Sequence, residues 1–539
     1  MASPAQESAY HGGMGHPTAL LDSHACYLAL TARDARFDGR FFTGVVSTGI
    51  YCRPICRVRA PRRENCRFFS HAAQAEQAGF RPCLRCRPEM APGTPAWSST
   101  DAGDILVREA LQRLDAPPAG LTTVPRIAEL AHQLGVSDRH LRRLFEEKVG
   151  VTPVQYLQTR RLLTAKQLLA DSLLPMAQVA QISGFGSLRR FNAAIRSHYH
   201  LSPGQLRRGG SPSVPSPTTQ AITLRLGYRP PYDVAALLGF LRTRAIDAME
   251  RVDLPVPGST SLPGLRRTLA IDTGTGQSCT GWIDVRFDEA HHQVLVQVAE
   301  PLAEVLPAVI HRLRALLDLD ADPAAIQAVL RTMPGRAGEL EGLRVPGCID
   351  GFELAVRAVL GQQITVAAAR TLTARLVDCL GDTLAPDADS GAGPSRLFPS
   401  AQTLARTPAD TLGRLGIVRQ RQAAILAIAR ATCEGHLDLQ GLADPQTNIT
   451  HLQQLPGVGA WTAQYIAMRA LRWPDAFPAA DVALHKALGL TRPRAATEAE
   501  ALSQAWRPWR SYAVVRAWTA GSVPSPDSIR PRINHPTPP

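Results

Sequence analysis

Apolar residues recur at helical spacing in the stretch that begins at Val124. Ile127, Leu130 and Ala131 precede Leu134-Gly135-Val136-Ser137, and Leu141, Leu144 and Phe145 follow. Residues three and four apart share a face, so this pattern predicts two short helices around a tight turn, with Ser137 capping the second. About fifty residues on, Val179-Ala180, Ile182, Gly184-Phe185 and Phe191 repeat the plan. One such hairpin is ordinary helical packing; two in tandem make a motif. A different punctuation stands at Leu455-Pro456-Gly457-Val458-Gly459, a Pro-Gly-x-Gly turn between two helices. Beyond it Tyr465 lies at i+4 from Trp461, on the same helical face. No run of 18 or more apolar residues occurs, so no membrane span is expected.

Between these segments the pattern lapses. Ala91–Asp101 and Gly209–Gln220 are rich in Pro, Gly, Ser and Thr and read as linkers. Thr383–Pro399 reads as a loop and the Pro-rich stretch 523–539 as a disordered tail. The segments left are 18–90, 102–208 and 221–522. Three or four domains are the expectation for 539 residues at roughly 150 per domain. With 45% hydrophobic residues and a mean hydropathy of −0.08, wholesale disorder is excluded. Met1–Pro17 has neither a basic start nor an apolar stretch, so no signal peptide is read, and a cytoplasmic, nucleoid-associated protein is expected.

Charge separates the halves. Residues 1–210 hold 27 Lys and Arg against 16 Asp and Glu; residues 211–539 hold 32 against 30. A basic first half and a near-neutral second half imply separate modules, the first meeting a polyanion. Six of the ten cysteines lie between Cys26 and Cys86. Cys52 and Cys56 are spaced C-x3-C, and Cys83 and Cys86 C-x2-C. Two short chelate loops closing one tetrahedral thiolate site are the zinc pattern. Spacing alone favours a purely structural zinc knot, with Cys26 and Cys66 as ordinary thiols. Nine arginines, among them Arg53, Arg57, Arg59, Arg81 and Arg85, surround the four cysteines and would either neutralise the site or grip phosphates.

The wording around them is specific. Arg33-Asp34-Ala35-Arg36-Phe37-Asp38-Gly39, Thr48-Gly49-Ile50-Tyr51-Cys52-Arg53-Pro54-Ile55-Cys56-Arg57 and Gly79-Phe80-Arg81-Pro82-Cys83-Leu84-Arg85-Cys86 closely resemble the N-terminal domain of bacterial Ada proteins. The resemblance implies a small α/β zinc domain over 18–90 in which Zn²⁺ is held by Cys52, Cys56, Cys83 and Cys86. Cys52 would take the methyl group of a DNA methylphosphotriester irreversibly, with Thr48, Arg57, Arg59 and Arg81 on DNA-contacting positions. The tandem hairpins, closed by Leu201-Ser202-Pro203-Gly204-Gln205-Leu206-Arg207, resemble an AraC-type DNA-binding domain. That implies an all-α domain over 102–208 whose second helices, near Asp138–Lys148 and Leu188–His198, enter the major groove. Arg139, His140, Arg142, Arg143, Arg189 and Arg190 are the candidate contacts.

The last segment holds no Walker A, no G-x-G-x-x-G and no H-E-x-x-H. Gly457 and Gly459 suit a backbone amide contact to a DNA phosphate, and Asp481 follows Trp461 by twenty residues. Without that context Asp481 would read as a routine helix N-cap. Tyr228-Arg229-Pro230-Pro231-Tyr232-Asp233, Leu238-Gly239-Phe240-Leu241, Gly361-Gln362-Gln363 and Trp506-Arg507-Pro508-Trp509-Arg510-Ser511-Tyr512-Ala513 resemble the AlkA family of 3-methyladenine DNA glycosylases. The resemblance implies an α+β subdomain over 221–335 leading into an all-α helix-hairpin-helix body over 336–522. Asp481 would be the catalytic carboxylate, and Trp461, Tyr465 and Trp518 the base pocket. Trp461 stands where lyase-type relatives carry a nucleophilic Lys, which implies hydrolysis without strand cleavage. Gln363 falls where the family places an apolar wedge and would fill the gap left by a flipped base.

Together these readings describe an alkylation-repair enzyme and regulator acting on double-stranded DNA, both alkylated and promoter, with RNA polymerase as a candidate second partner. None of Cys279, Cys348, Cys379 and Cys433 stands in the Pro-Cys-His-Arg context of an alkylguanine transferase, so that activity is not expected. Two competing readings are a transcription regulator with a vestigial glycosylase segment and a repair enzyme whose helix-turn-helix segment is only a DNA clamp.

Overall fold

The computed structural model of the chain describes residues 22–88, 106–207 and 221–522, with interruptions of which 115–126 is the longest. Both expected linkers, the tail from Val523 and the segment Met1–Pro17 lie outside the described residues.

Helix α1 (Ser23–Ala32) starts where Asp22 accepts from the amides of His24 and Ala25, and stops where Arg33 turns left-handed. It lies against a four-stranded sheet ordered β3-β1-β2-β4. The strands are β1 (Phe42–Val45), β2 (Ile50–Cys52), β3 (Cys66–Phe69) and β4 (Arg81–Pro82), and α2 (Ala72–Gln77) packs beside them. β4 runs parallel to β2, and the Cys83 amide donates to the Tyr51 carbonyl at 3.0 Å. That register carries the second cysteine pair to the end of the strand that carries the first.

The second segment is helical: α3 (Ile127–Gln133), α4 (Asp138–Val149), α5 (Pro153–Asp171), α6 (Met176–Ile182), α7 (Leu188–Tyr199) and α8 (Pro203–Arg207). Ser137 caps α4 as expected, accepting from the His140 amide at 3.2 Å. Ser187 does the same for α7 through Arg190, so the two second helices open alike. The first unit keeps its own core around Leu130, Leu141, Leu144 and Phe145. The second does not. Leu162, Leu168, Val179, Phe191 and Ile195 share one core with the sheet that follows, and Ser172 bridges to Leu224.

That sheet is antiparallel, in the order β5-β9-β8-β7-β6: β5 (Ala221–Gly227), β6 (Glu250–Asp253), β7 (Gly264–Asp272), β8 (Ser278–Asp288) and β9 (Gln293–Ala299). Val294, Val296 and Val298 alternate inward along β9, the period-2 pattern of a half-buried strand. Helix α9 (Val234–Arg244) joins β5 to β6, and α10 (Leu306–Leu316) and α11 (Pro323–Leu330) lead out. The body begins with α12 (Gly351–Leu360), α13 (Val366–Leu380), α14 (Ala401–Arg406), α15 (Ala409–Arg414) and α16 (Arg419–Cys433). It ends with α17 (Pro445–Gln454), α18 (Ala460–Arg469), α19 (Val482–Ala487), α20 (Ala495–Ser503) and α21 (Arg510–Ser522). Phe352, Val356, Val359, Ile425, Ile428, Ile466, Tyr512 and Val514 form its centre. The chain is thus multidomain, as the composition and motifs led one to expect.

The domains are not beads on a string. Phe37 of the first domain packs on Trp473 of the body with ring centroids 5.5 Å apart, and Arg40 pairs with Asp444 at 3.2 Å. Linker composition marks candidate domain boundaries in the sequence, but not which faces of the domains meet.

Candidate metal centre and aromatic pocket

Two sites emerge, one at each end of the chain. At the first, the sulfurs of Cys52, Cys56, Cys83 and Cys86 all lie within 4.8 Å of one another, and Cys56 and Cys83 are 4.0 Å apart. Tetrahedral zinc with Zn–S bonds of about 2.3 Å sets its sulfurs about 3.8 Å apart, so the cluster has the size of a metal cage. Hydrogen bonding with Cys56 and Cys86, then burial, push the Cys52 thiol far above its ordinary range. Four ionised sulfurs this close therefore need a cation among them. Cys26 and Cys66 stand apart, Cys26 fully buried in α1 with burial pushing its thiol up to about 12.

The arginines around this cage divide. Arg53 belongs to the cage itself: its amide donates to Cys86 Sγ at 3.3 Å and its guanidinium clamps Asp38, with Nε to Oδ1 at 2.8 Å. Arg59 and Arg81 are exposed, as is Thr48 in the β1–β2 turn. Arg57 and Arg85 lie outside the described residues. In the helical segment Arg139, Arg142, Arg143, Arg189 and Arg190 are all exposed, and Arg142 also pairs with Asp138 of its own helix at 2.9 Å.

The second site is built on three helices of the body. Asp481 is the N-cap of α19, accepting from the Leu484 amide at 2.8 Å. A cap needs no more than that, yet two indoles also converge on it. Trp461 Nε1 donates to Oδ2 at 2.9 Å and Trp518 Nε1 to Oδ1 at 3.0 Å. A carboxylate accepting three N–H groups is held as an acceptor with a fixed orientation. Asp481 is 7% exposed, so those bonds act in a poorly hydrated setting.

The indoles continue into an aromatic wall. Trp461 stacks on Tyr465 at 5.2 Å and 14°, Tyr465 meets Trp518 at 6.2 Å, and Trp518 lies parallel to Phe240 at 6.5 Å and 11°. Phe240 comes from α9 of the sheet subdomain, more than two hundred residues away from its neighbours in sequence. Its motif was visible in the sequence, but nothing there placed it in the pocket. Behind the wall stands Arg469, which donates to the Tyr465 hydroxyl at 2.6 Å and is anchored on the carbonyls of Pro346 and Gly347. Burial opposes ionisation of the Tyr465 phenol, yet Arg469 and Arg244 hold it below the ordinary phenol range.

Beside the pocket runs the Gly-rich turn between α17 and α18. Gly457 has φ +77°, and a Cβ there would meet Ala424 Cβ at 3.1 Å and the Gln420 carbonyl at 3.2 Å. Gly459 is the N-cap of α18 with no side-chain bond to the first-turn amides, and nothing crowds its Cβ position. Gln362 donates to the Gly457 carbonyl and the Thr462 hydroxyl, both at 2.9 Å. Gln363, next in the chain, is exposed at φ +54° between α12 and α13. The structure therefore brings Asp481, Trp461, Tyr465 and Trp518 together, and ties Gln362, the residue before Gln363, to the turn that holds Gly457 and Gly459.

A thiolate cage in a small α/β domain, tandem helix-turn-helix units and a helix-hairpin-helix body define a multidomain DNA repair protein with a regulatory segment. Family models agree along the chain: the metal binding domain of Ada matches residues 25–89 and a helix-turn-helix domain 130–209. The AlkA N-terminal domain matches 223–350 and the HhH-GPD superfamily of base excision DNA repair proteins 356–511. The probable bifunctional transcriptional activator/DNA repair enzyme AlkA of Mycobacterium tuberculosis H37Rv is 38% identical over 506 residues, 92% of this chain and 96% of that protein. DNA-3-methyladenine glycosylase 2 of Escherichia coli K12 is 32% identical over 295 residues, 54% of this chain and 95% of its own. The Ada protein of the same organism, a bifunctional transcriptional activator/DNA repair enzyme, is 33% identical over 199 residues, 36% of this chain and 52% of its own. The chain belongs to the family of bifunctional activator and DNA repair proteins that join an Ada-type zinc domain and an AraC-type segment to an AlkA-type glycosylase. Its cysteine cage is one Zn²⁺ site.

Proposed function

We propose that this protein takes methyl groups from DNA methylphosphotriesters onto Cys52, hydrolyses the glycosidic bond of alkylated purines such as 3-methyladenine at Asp481, and activates transcription through its helix-turn-helix segment. The observation that carries the glycosylase reading is Asp481 held between the Trp461 and Trp518 indoles at the foot of the aromatic wall.

N-alkylation leaves a purine positively charged and its glycosidic bond weak, so departure needs little acid assistance. Phe240, Trp461, Tyr465 and Trp518 offer π faces, which attract a cationic base more than a neutral one. As the bond breaks, positive charge grows on the sugar, and the Asp481 carboxylate stabilises it and orients the incoming water. The indole bonds hold that carboxylate in place before the reaction begins. The amides of the Gly457–Gly459 turn suit a phosphate contact without base readout, and Gln363 suits the gap left by the flipped base.

At the other centre, Zn²⁺ keeps the bound sulfurs ionised at neutral pH. The Cys52 sulfur attacks the methyl carbon; the S–C bond forms, the O–C bond breaks, and the phosphodiester leaves with the electron pair. A thioether has no hydrolytic exit, so each molecule reacts once. Thr48, Arg59 and Arg81 are exposed for the DNA backbone, and Arg57 is assigned there by its motif position. Methylation removes one negative charge from a net negative site, which lessens repulsion of DNA phosphates and raises promoter affinity at low salt. Promoter binding by methylated and unmethylated protein across a salt series tests this: a gain that shrinks with salt is expected, and equal affinities at low salt would reject signalling. Stimulated transcription by purified RNA polymerase at the bound promoter would establish the second partner.

A further inference from the structure

The zinc domain meets the glycosylase body through a buried knot of charges. Arg36 pairs with Asp34 of its own domain (Nη2 to Oδ2, 2.6 Å) and with Asp318, between α10 and α11 of the sheet subdomain (Nη1 to Oδ1, 3.2 Å). The same guanidinium bonds the Tyr512 hydroxyl, which in turn donates to Asp318. Asp34 Oδ2 accepts from Trp509 Nε1 at 3.0 Å. Asp34, Asp318, Trp509 and Tyr512 are each no more than 3% exposed. Buried ions demand their full set of partners, so each side of this contact leaves the other with unpaired charge if it departs.

The two aromatic partners in the knot belong to one element of the body. Trp509 immediately precedes α21 and Tyr512 lies in its first turn. Trp518, which holds Asp481 Oδ1 at 3.0 Å, stands six residues further along the same helix, about 9 Å at 1.5 Å per residue. The helix also has anchors within the body, Arg510 to Asp475 at 3.0 Å and Ser511 to the Trp473 carbonyl at 2.9 Å. Docking thus acts on a helix that is already seated, setting its rotation and depth rather than its existence.

We infer that the zinc domain is a working part of the glycosylase: Asp34 and Arg36, through Trp509 and Tyr512, are positioning residues that set α21, and with it the Trp518 indole, against the catalytic carboxylate. This rests on the reading of Asp481 given above. A displaced indole loosens the orientation of a carboxylate that stabilises charge only in the transition state, so the chemical step suffers and DNA binding does not.

The test uses the full-length protein. Asp34→Asn and Tyr512→Phe weaken the knot from opposite sides without touching the pocket: the first removes the charge that faces Arg36 and the Trp509 indole, the second the hydroxyl that joins Arg36 to Asp318. Single-turnover base release is measured on duplex DNA carrying 3-methyladenine with protein in excess, well below each variant's unfolding midpoint, alongside affinity for an abasic-site duplex. The rate constant is expected to fall about three- to tenfold in both variants while affinity stays within about twofold. If one variant does not fold, the other tests the same link from its own side. Wild-type rates in the folded variants, or a loss traced to weaker DNA binding, would overturn the inference. Failure of the wild-type protein to release base would instead overturn the glycosylase reading.

Discussion

Asp481 shows how one side chain serves two purposes. Its Oδ1 caps α19 through Leu484, a role the sequence pattern alone would assign, and the same carboxylate is gripped by the indoles of Trp461 and Trp518. Asp481→Asn keeps a capping oxygen but loses the charge. Base release should drop by about two orders of magnitude or more with DNA affinity nearly unchanged, as single-turnover rates and binding titrations would show. Trp461→Phe keeps the aromatic face and loses the N–H. Its rate should fall about tenfold, equivalent to ~1.4 kcal/mol of transition-state stabilisation. An unchanged rate would mean that the indole serves only as a wall. Legibility at this scale was uneven. Trp461, Tyr465 and Asp481 lie within one short stretch and could be grouped through the helix-hairpin-helix motif, whereas Phe240, Arg469 and the Arg53–Asp38 clamp are joined only by tertiary contacts.

At the scale of elements, caps and turns were the most readable features because their chemistry is local. Ser137 opens α4 as its hydroxyl and spacing led one to expect, and the second helices run Asp138–Val149 and Leu188–Tyr199, one residue beyond the expected ends. The turn at Gly457 offers a sharper check. Its φ of +77° strains any L side chain, and a Cβ there would press on Ala424 Cβ at 3.1 Å. Gly457→Ala should therefore cost about 1–2 kcal/mol in chemical denaturation. Gly459→Ala, at φ −85° with open space around it, should cost little stability and act only on DNA affinity. Equal destabilisation by both would contradict the turn geometry. What could not be read locally is the sharing of one core by α5–α7 and the five-stranded sheet, since each apolar face is compatible with several partners.

Across the whole molecule, the basic first half and near-neutral second half are real, yet they hide a buried contact in which opposite charges from both halves meet. Asp34 is the part of that contact with a readable pH signature. Burial pushes its carboxyl up, but Arg36 and the bonds from Arg36 and Trp509 prevail and hold it below the usual range. A depressed native pKa stabilises the fold above the unfolded value near 3.9 and is lost as pH falls through the native value. The stability gap between wild type and Asp34→Asn should thus be full at pH 5 and close as pH drops below about 4. Thermal midpoints of the two proteins across that window provide the check, and a gap that widens on acidification would contradict the assignment.

The central claim is that one chain carries two chemically distinct repair centres, one consumed and one catalytic. The most direct measurement incubates the protein with duplex DNA bearing radiolabelled methyl groups and follows label on protein and free bases separately. Label should saturate at a single methyl on Cys52 and vanish in Cys52→Ala, while released 3-methyladenine continues to accumulate and vanishes only in Asp481→Asn. Label that persists in Cys52→Ala, or base release no faster than in DNA alone, would contradict the account.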